Sequence, residues 1–394
     1  MKSKYTATKI TCYIGYIVQA IINNFLPILF IALHSEYGLS YEELARLILV
    51  NFATQMFSDL ATPKIVKIMG YKKVAVLSQM TACAGLLLLG FLPNIISPYI
   101  GTVISIVIYA FGSGLMEVIM SPIIEMLPTE NKSGNMSILH SFYCWGQAFT
   151  VIVTTFLVGL FGYAGWSYIP MIWAVIPFIN MFAFMGVPVV EPDPEVKQSR
   201  LMELLKTPRF CTYMVMMFCA GATEIAMAQW ASMFVQEALN VSKMIGDLTG
   251  PCSFALSMAI GRIWYAAVSE KINFRKTLII LSALCFICYV VVAVCNIPAV
   301  SLICCAICGF TVSISWPGIY SAGAVEFPHG GSVMYSTFAM CGDTGCAMGP
   351  WILGVVADIF NLKIGFGVAS VFALVMIFAA ATLKKNKDLK KADL

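Results

Sequence analysis

Long apolar runs, broken by short polar interruptions, dominate the chain from residue 10 to residue 383. A helix that crosses a bilayer needs about 20 consecutive, mostly apolar residues. Twelve segments meet that requirement, at 10–33, 42–68, 74–93, 98–127, 133–162, 166–190, 207–238, 243–269, 275–297, 298–325, 330–360 and 363–383. A membrane β-barrel would instead alternate apolar and polar residues. The pattern predicts an all-α integral membrane protein with twelve transmembrane helices. Spans nine and ten are separated only by Asn296-Ile297-Pro298, which requires a tight turn.

The longest polar stretch, EPDPEVKQSR at 191–200, divides the chain near its midpoint. The expected organisation is a six-helix bundle over 1–190, a cytoplasmic linker over 191–206, and a second six-helix bundle with a basic tail over 207–394. Lysine and arginine set the orientation. With the N-terminus inside, the inner segments carry 20 of the 24 basic residues, and only Arg46, Lys243 and Lys363 fall near the outside. Both termini are therefore expected in the cytoplasm, with the tail KKNKDLKK at the anionic leaflet. Arg262 falls in the inner half of span eight, and no lysine or arginine is expected at mid-membrane.

Composition agrees with the spans. Hydrophobic residues make up 60% of the chain and charged residues 11%, too few to cover a soluble protein of this size. The net charge of +4 lies in loops and tails, so nucleic acid is not an expected partner. The 14 cysteines sit mostly inside apolar runs, as in Cys304, Cys305 and Cys308, and are read as small packing residues. His34, His140 and His329 are too scattered for a metal site. No small-residue cleavage site follows the first apolar run, so no cleavable signal peptide is expected. No convergent catalytic set, phosphate loop or nucleotide motif is present, so neither an enzyme nor a cofactor is expected.

The two halves repeat weakly. GNMSILHSFYCWGQ from Gly134 aligns without gaps on GGSVMYSTFAMCGD from Gly330. Gly134, Phe142, Gly146 and Gln147 then face Gly330, Phe338, Gly342 and Asp343. Gly15 precedes Asn23 by eight residues, as Gly221 precedes Gln229, and KIMGYKK after span two matches KINFRK after span eight. Such duplication is expected of two-half transporters.

Twelve spans, a central linker and a duplicated basic loop resemble the major facilitator superfamily over essentially the whole chain. The first loop keeps Gly70, Tyr71, Lys72 and Lys73, and the second keeps Gly261, Arg262, Glu270, Lys271, Arg275 and Lys276. Within that superfamily the chain is similar to the fucose/galactose/glucose permeases. Glu117-Val-Ile-Met-Ser121-Pro122 resembles that group's Glu-x-x-x-Asn-Pro, and His140-Ser-Phe142-Tyr-Cys-Trp-Gly146 its Gln-x-Phe-x-x-x-Gly. In Asn23-Asn24-Phe-Leu-Pro27, Asn23 stands where the group has a carboxylate implicated in proton coupling. Trp316-Pro317-Gly318 is a further point of likeness. The resemblance implies two pseudo-symmetric bundles and cation-coupled sugar transport.

Polar groups inside apolar spans are costly and so informative. The acids well inside spans are Glu117, Glu224 and Asp343, with Asp59 and Glu125 nearer the cytoplasmic ends. Gln19 and Asn23, four residues apart, share a face of span one, as Asn51 and Gln55 do on span two. His140 and Gln147 share a face of span five. Glu224 and Gln229 would share one only if span seven kinked, which Gly221 permits. Amides donate and accept without charge, which suits a neutral polyol. Aromatic faces such as Trp145, Trp230, Trp316 and Tyr320 suit its C–H surfaces.

The expected substrate-binding set is Gln19, Asn23, Asn24, Glu117, His140, Gln147, Glu224, Gln229, Trp230, Trp316 and Tyr320, from spans one, four, five, seven, ten and eleven. The expected coupling groups for H+ or Na+ are Glu117, Glu224 and Asp343. These expectations describe a multi-pass cell-membrane carrier, functional as a monomer, for a small neutral polyhydroxylated solute such as a sugar. The alternative is export of an amphipathic or cationic compound, which the three acids and 23 methionines would also suit.

Overall fold

The computed structural model describes residues 5–39, 41–191, 199–239 and 250–383. Most of the linker, the start of span eight and the lysine-rich tail lie outside them. Among the described residues there is no β-strand. Among the described residues each apolar segment contains helix, span eight from Pro251 onward. Nine stretches among the described residues are by length and composition able to cross a membrane.

The chain divides into two compact units. The first takes Met1–Thr129 and Trp145–Val196, and the second takes Glu130–Cys144 and Lys197–Leu394. Residues 130–144 thus group with the second unit, not with the 1–190 half in which sequence reasoning placed them.

The first unit opens with α1 (Thr6–Asn24), a 3₁₀ turn over Leu26–Leu29 and α2 (Phe30–Tyr37). Pro27 causes this break in span one, because it has no N–H and its ring clashes with the carbonyl four residues back. Then follow α3 (Tyr41–Met69), α4 (Tyr71–Ile95), α5 (Pro98–Met126), α6 (Lys132–Phe161) and α7 (Tyr168–Gly186). Small residues let α4 and α5 meet backbone to backbone. A Cβ on Gly112 would lie 2.5 Å from the Ser78 carbonyl oxygen. Ser58 Oγ donates to the Phe111 carbonyl at 2.8 Å and ties α3 to α5.

A carboxylate outside the spans closes the α3–α4 turn. Gly70 has φ +78°, a conformation that glycine adopts at low cost. Glu191 then accepts the backbone N–H of Tyr71 at 2.9 Å and of Lys72 at 3.0 Å, at the start of α4. These donors have no partner within the helix, and the anion also meets the positive end of the helix dipole. Glu191→Ala should cost about 1 kcal/mol, the usual worth of a cap. Glu191→Gln should lose less, because an acceptor remains. Thermal unfolding of the three proteins in one detergent checks this order.

The second unit holds the first half of α6, then α8 (Leu201–Leu205), α9 (Pro208–Leu239), α10 (Pro251–Val268) and α11 (Phe274–Val294). It ends with α12 (Pro298–Val312), α13 (Ser315–Glu326), α14 (Gly331–Ile359) and α15 (Leu362–Ala381). Span ten is thus broken after Val312. Pro317 cannot donate to the carbonyl of Ser313 four residues earlier, so the chain turns there and that oxygen is left for another donor.

A buried cluster of Phe254, Cys285, Tyr289, Cys308 and Phe366 forms the core of this unit. All 14 cysteines are free. Large apolar side chains such as Phe156, Trp351 and Phe378 are more than 60% exposed, as lipid-facing residues are in a multi-pass membrane protein.

Candidate functional site

In the first unit, two adjoining polar clusters form around α1. Gln19 is buried, and its Nε2 donates to Glu117 Oε2 on α5 at 2.6 Å. One turn further along α1, Asn23 Oδ1 accepts from Gln55 Nε2 at 2.9 Å and from Asn51 Nδ2 at 3.3 Å, both on α3. Ser113 on α5 donates to Gln55 Oε1 at 3.2 Å. The i, i+4 spacings of Gln19 with Asn23 and of Asn51 with Gln55 therefore meet each other. Two acceptors in these clusters, Gln19 Oε1 and Asn51 Oδ1, are buried without a hydrogen bond among the described residues. Tyr16 and Ser121 pair at 3.1 Å beside them. Asn24 is used differently, because its Nδ2 caps the Ala20 carbonyl at 2.8 Å near the end of α1.

In the second unit, Arg262 on α10 is the hub. It is 2% exposed. Its Nη2 lies 3.4 Å from Glu224 Oε2 on α9. Its Nη1 donates to the His140 carbonyl at 2.7 Å and to Cys144 Sγ at 2.9 Å, both on α6. Its Nε donates at 3.4 Å to the Ser313 carbonyl, the oxygen that Pro317 releases. The Arg262 carbonyl accepts Ser137 Oγ at 2.5 Å. The expected basic residue of span eight is therefore buried, and its charge is committed to Glu224 and to backbone oxygens.

His140 is buried, and its ring stacks on Tyr320 of α13 with centroids 5.7 Å apart. Tyr320 stacks in turn on Tyr335 of α14 at 5.3 Å. Trp316, one turn before Tyr320, lies against Gly342, where any Cβ would overlap its ring. Trp316 Nε1 is buried without a hydrogen bond among the described residues. Asp343, the next residue on α14, is 6% exposed, and its Oδ2 is likewise unsatisfied.

Gln229, Trp230 and Gln147 lie outside the hydrogen-bonded clusters described above. The α9 helix runs unbroken through Gly221, so Glu224 is buried while Gln229 points to an exposed face, and the two do not meet. Gly221 instead lets α9 touch α14, since a Cβ there would overlap the Gly342 carbonyl. Trp230 spends its indole N–H on the Pro350 carbonyl at 3.0 Å and packs on Gly354, a helix-bridging arrangement. Gln147 is half-buried, seven residues beyond His140 and in the first unit, whereas His140 is in the second.

Arg262, Asn51, Gln55 and Ser113 take part in these clusters but are absent from the expected substrate-binding set. An arginine in an apolar run followed elsewhere by a Pro-freed carbonyl is a usable signal for the first. Ser113, one of many serines in spans, carried none. Among the described residues no group of three or more His, Cys, Asp or Glu could hold a metal ion.

Comparison with known proteins agrees with this architecture. The chain is 23% identical over 350 residues to the membrane protein MosC of Rhizobium meliloti, covering 89% of this chain and 83% of MosC. FucP, the E. coli fucose:proton symporter, solved in its outward conformation, superposes with a TM-score of 0.82 at 15% identity over 96% of this chain and 99% of its own. The proton:xylose symporter XylE superposes with a TM-score of 0.84 at 12% identity, covering 99% of both chains. At these identities the solved structures establish the fold. The sequence profile of the Major Facilitator Superfamily matches residues 12–350, and the chain belongs to that superfamily.

Proposed function

We propose that this multi-pass transporter carries a small neutral polyhydroxylated solute, a sugar or close relative, by ion-coupled alternating access. Twelve spans with both termini in the cytoplasm and a monomeric working unit belong to the same reading. The observation that carries it is the neutral cluster of the first unit. Gln19, Asn23, Asn51, Gln55 and Ser113 offer amide and hydroxyl groups with no net charge. Gln19 Oε1 and Asn51 Oδ1 are acceptors with nothing to accept among the described residues. A sugar hydroxyl supplies the missing donor, and an apolar solute would leave the amide oxygens unanswered. The similarity in fold to two sugar:proton symporters supports the same class of solute. Glu117, held by Gln19, is assigned to the solute because a carboxylate beside an amide binds vicinal hydroxyls through charge-assisted bonds.

The test is uptake of radiolabelled fucose, galactose, glucose and xylose by the full chain reconstituted in vesicles. Tetraphenylphosphonium serves as a competing class, with and without gradients of pH and sodium. One neutral sugar should accumulate and the lipophilic cation should not. Glu117→Gln should lower uptake at low sugar concentration by about tenfold or more, the worth of one charge-assisted hydrogen bond of about 1.5–3 kcal/mol. Movement of the cation with no sugar uptake would replace this reading with an exporter, and unchanged uptake in Glu117→Gln would remove Glu117 from the site.

A further inference from the structure

The coupling carboxylate can be narrowed by asking what each buried acid already holds. Glu117 accepts from Gln19. Glu224 faces the Arg262 guanidinium. Asp59 and Glu125 also have oxygens without a hydrogen bond among the described residues, but each has another interaction of its own and each is expected nearer the cytoplasmic end of its span. Asn23, which stands at the position of a carboxylate in the similar permeases, is a neutral amide and is engaged with Asn51 and Gln55.

Asp343 is different. It lies near the middle of α14, is 94% buried, and one carboxylate oxygen has no hydrogen bond among the described residues. No lysine, arginine or histidine among them lies within ion-pair distance of it. A bare carboxylate in such a place is costly, so the site calls for either a proton or a bound cation. A sodium ion requires several converging oxygen ligands. Here the helix itself consumes most backbone carbonyls, and no group of three or more His, Cys, Asp or Glu that could hold a metal ion is found among the described residues. Trp316 Nε1 on α13, also buried without a hydrogen bond among the described residues, is a donor and would repel a cation, and Ser321 Oγ on the same helix is a single neutral oxygen, too few for a sodium shell.

We propose that Asp343 is the exchangeable-proton site of this transporter. The neutral acid occupies the closed, buried arrangement seen here, and the proton passes to bulk water when the junction opens. This role in coupling rests on the transporter reading above, but protonation of Asp343 does not depend on which solute is carried.

The ionisable groups on the elements packed against α14 are few. On α9 they are Glu224, neutralised by Arg262, and Tyr213, whose hydroxyl donates to Glu326 of α13 at 3.1 Å. Arg209 pairs with the same Glu326 at 2.8 Å. On α8, Glu203 accepts the Arg200 N–H. On α15, Lys363 is held by the Cys295 carbonyl and Asn296. Among the described side chains, Tyr320 on α13, Tyr335 on α14 and the cysteines Cys211, Cys219, Cys341 and Cys346 complete the set. No basic side chain among these is left free to neutralise Asp343.

The experiment is infrared difference spectroscopy of the full-length protein in lipid, comparing acidic with alkaline buffer in sodium-free choline medium. The wild type should show a protonated-carboxyl C=O band that shifts in heavy water. Asp343→Asn should lack it, while Glu117→Gln and Glu224→Gln should keep it. Asp343→Glu should keep an acid band at a shifted frequency, which covers the case in which the asparagine variant fails to fold. A band that survives in Asp343→Asn, that is missing from the wild type, or that sodium alone abolishes at fixed pH overturns the proposal. The measurement uses no solute, so failure of sugar uptake and failure of this assignment are read separately.

Discussion

Replacing Arg262 with Met should destabilise the second unit more than any other side-chain change described above. The guanidinium answers the Glu224 carboxylate, the His140 carbonyl, the Ser313 carbonyl and Cys144 Sγ. Removing it strands a buried anion and a backbone oxygen that Pro317 cannot satisfy. Loss of one partner of a buried pair costs about 3–5 kcal/mol, whereas replacing both by apolar groups is often neutral. The double variant Arg262→Met, Glu224→Leu should therefore recover much of the loss, but not all of it, because the Ser313 carbonyl stays unanswered. The 14 free cysteines provide the readout. A thiol-reactive dye should label the buried Cys144 at lower temperature in the single variant than in the wild type or the double. Simple additivity of the two single changes would show that Arg262 and Glu224 act independently.

That cluster also marks where sequence reasoning stops. The spans were legible because bilayer thickness imposes a length and an apolarity that any window reveals. Pro27 announces the break at the end of α1 for a purely local reason. Partners across the fold have no such signature. Arg262 and His140 are 122 residues apart, and Gln19 and Glu117 are 98 apart. The pairing of Asn23 with Asn51 and Gln55 was half legible, since the i, i+4 spacing on each helix gives a polar face but not what it meets. Gly221 shows a local reading overruled by packing. A glycine in a helix permits either a kink or a close neighbour, and here the neighbour α14 decides for the second.

The close approach of α9 and α14 leads to the other large expected effect. A Cβ on Gly345 would overlap the Phe218 carbonyl oxygen, and one on Gly221 the Gly342 carbonyl oxygen. Both obstacles are backbone, so no side chain can turn aside and the helices themselves must part. Overpacking of this kind costs about 1–3 kcal/mol even where side chains adjust, so Gly345→Ala should fall at or above the top of that range. Gly159→Ala on α6 is the control, because nothing lies within 4 Å of its Cβ position. It should be neutral or slightly stabilising, since alanine is about 1 kcal/mol better than glycine within a helix. Separating α9 from α14 would also change the surroundings of Asp343, which lies between Gly342 and Gly345 in the sequence. A thermal shift for Gly345→Ala no larger than that for Gly159→Ala would mean that α9 and α14 are not in backbone contact, and the close-approach account of Gly221 would fall with it.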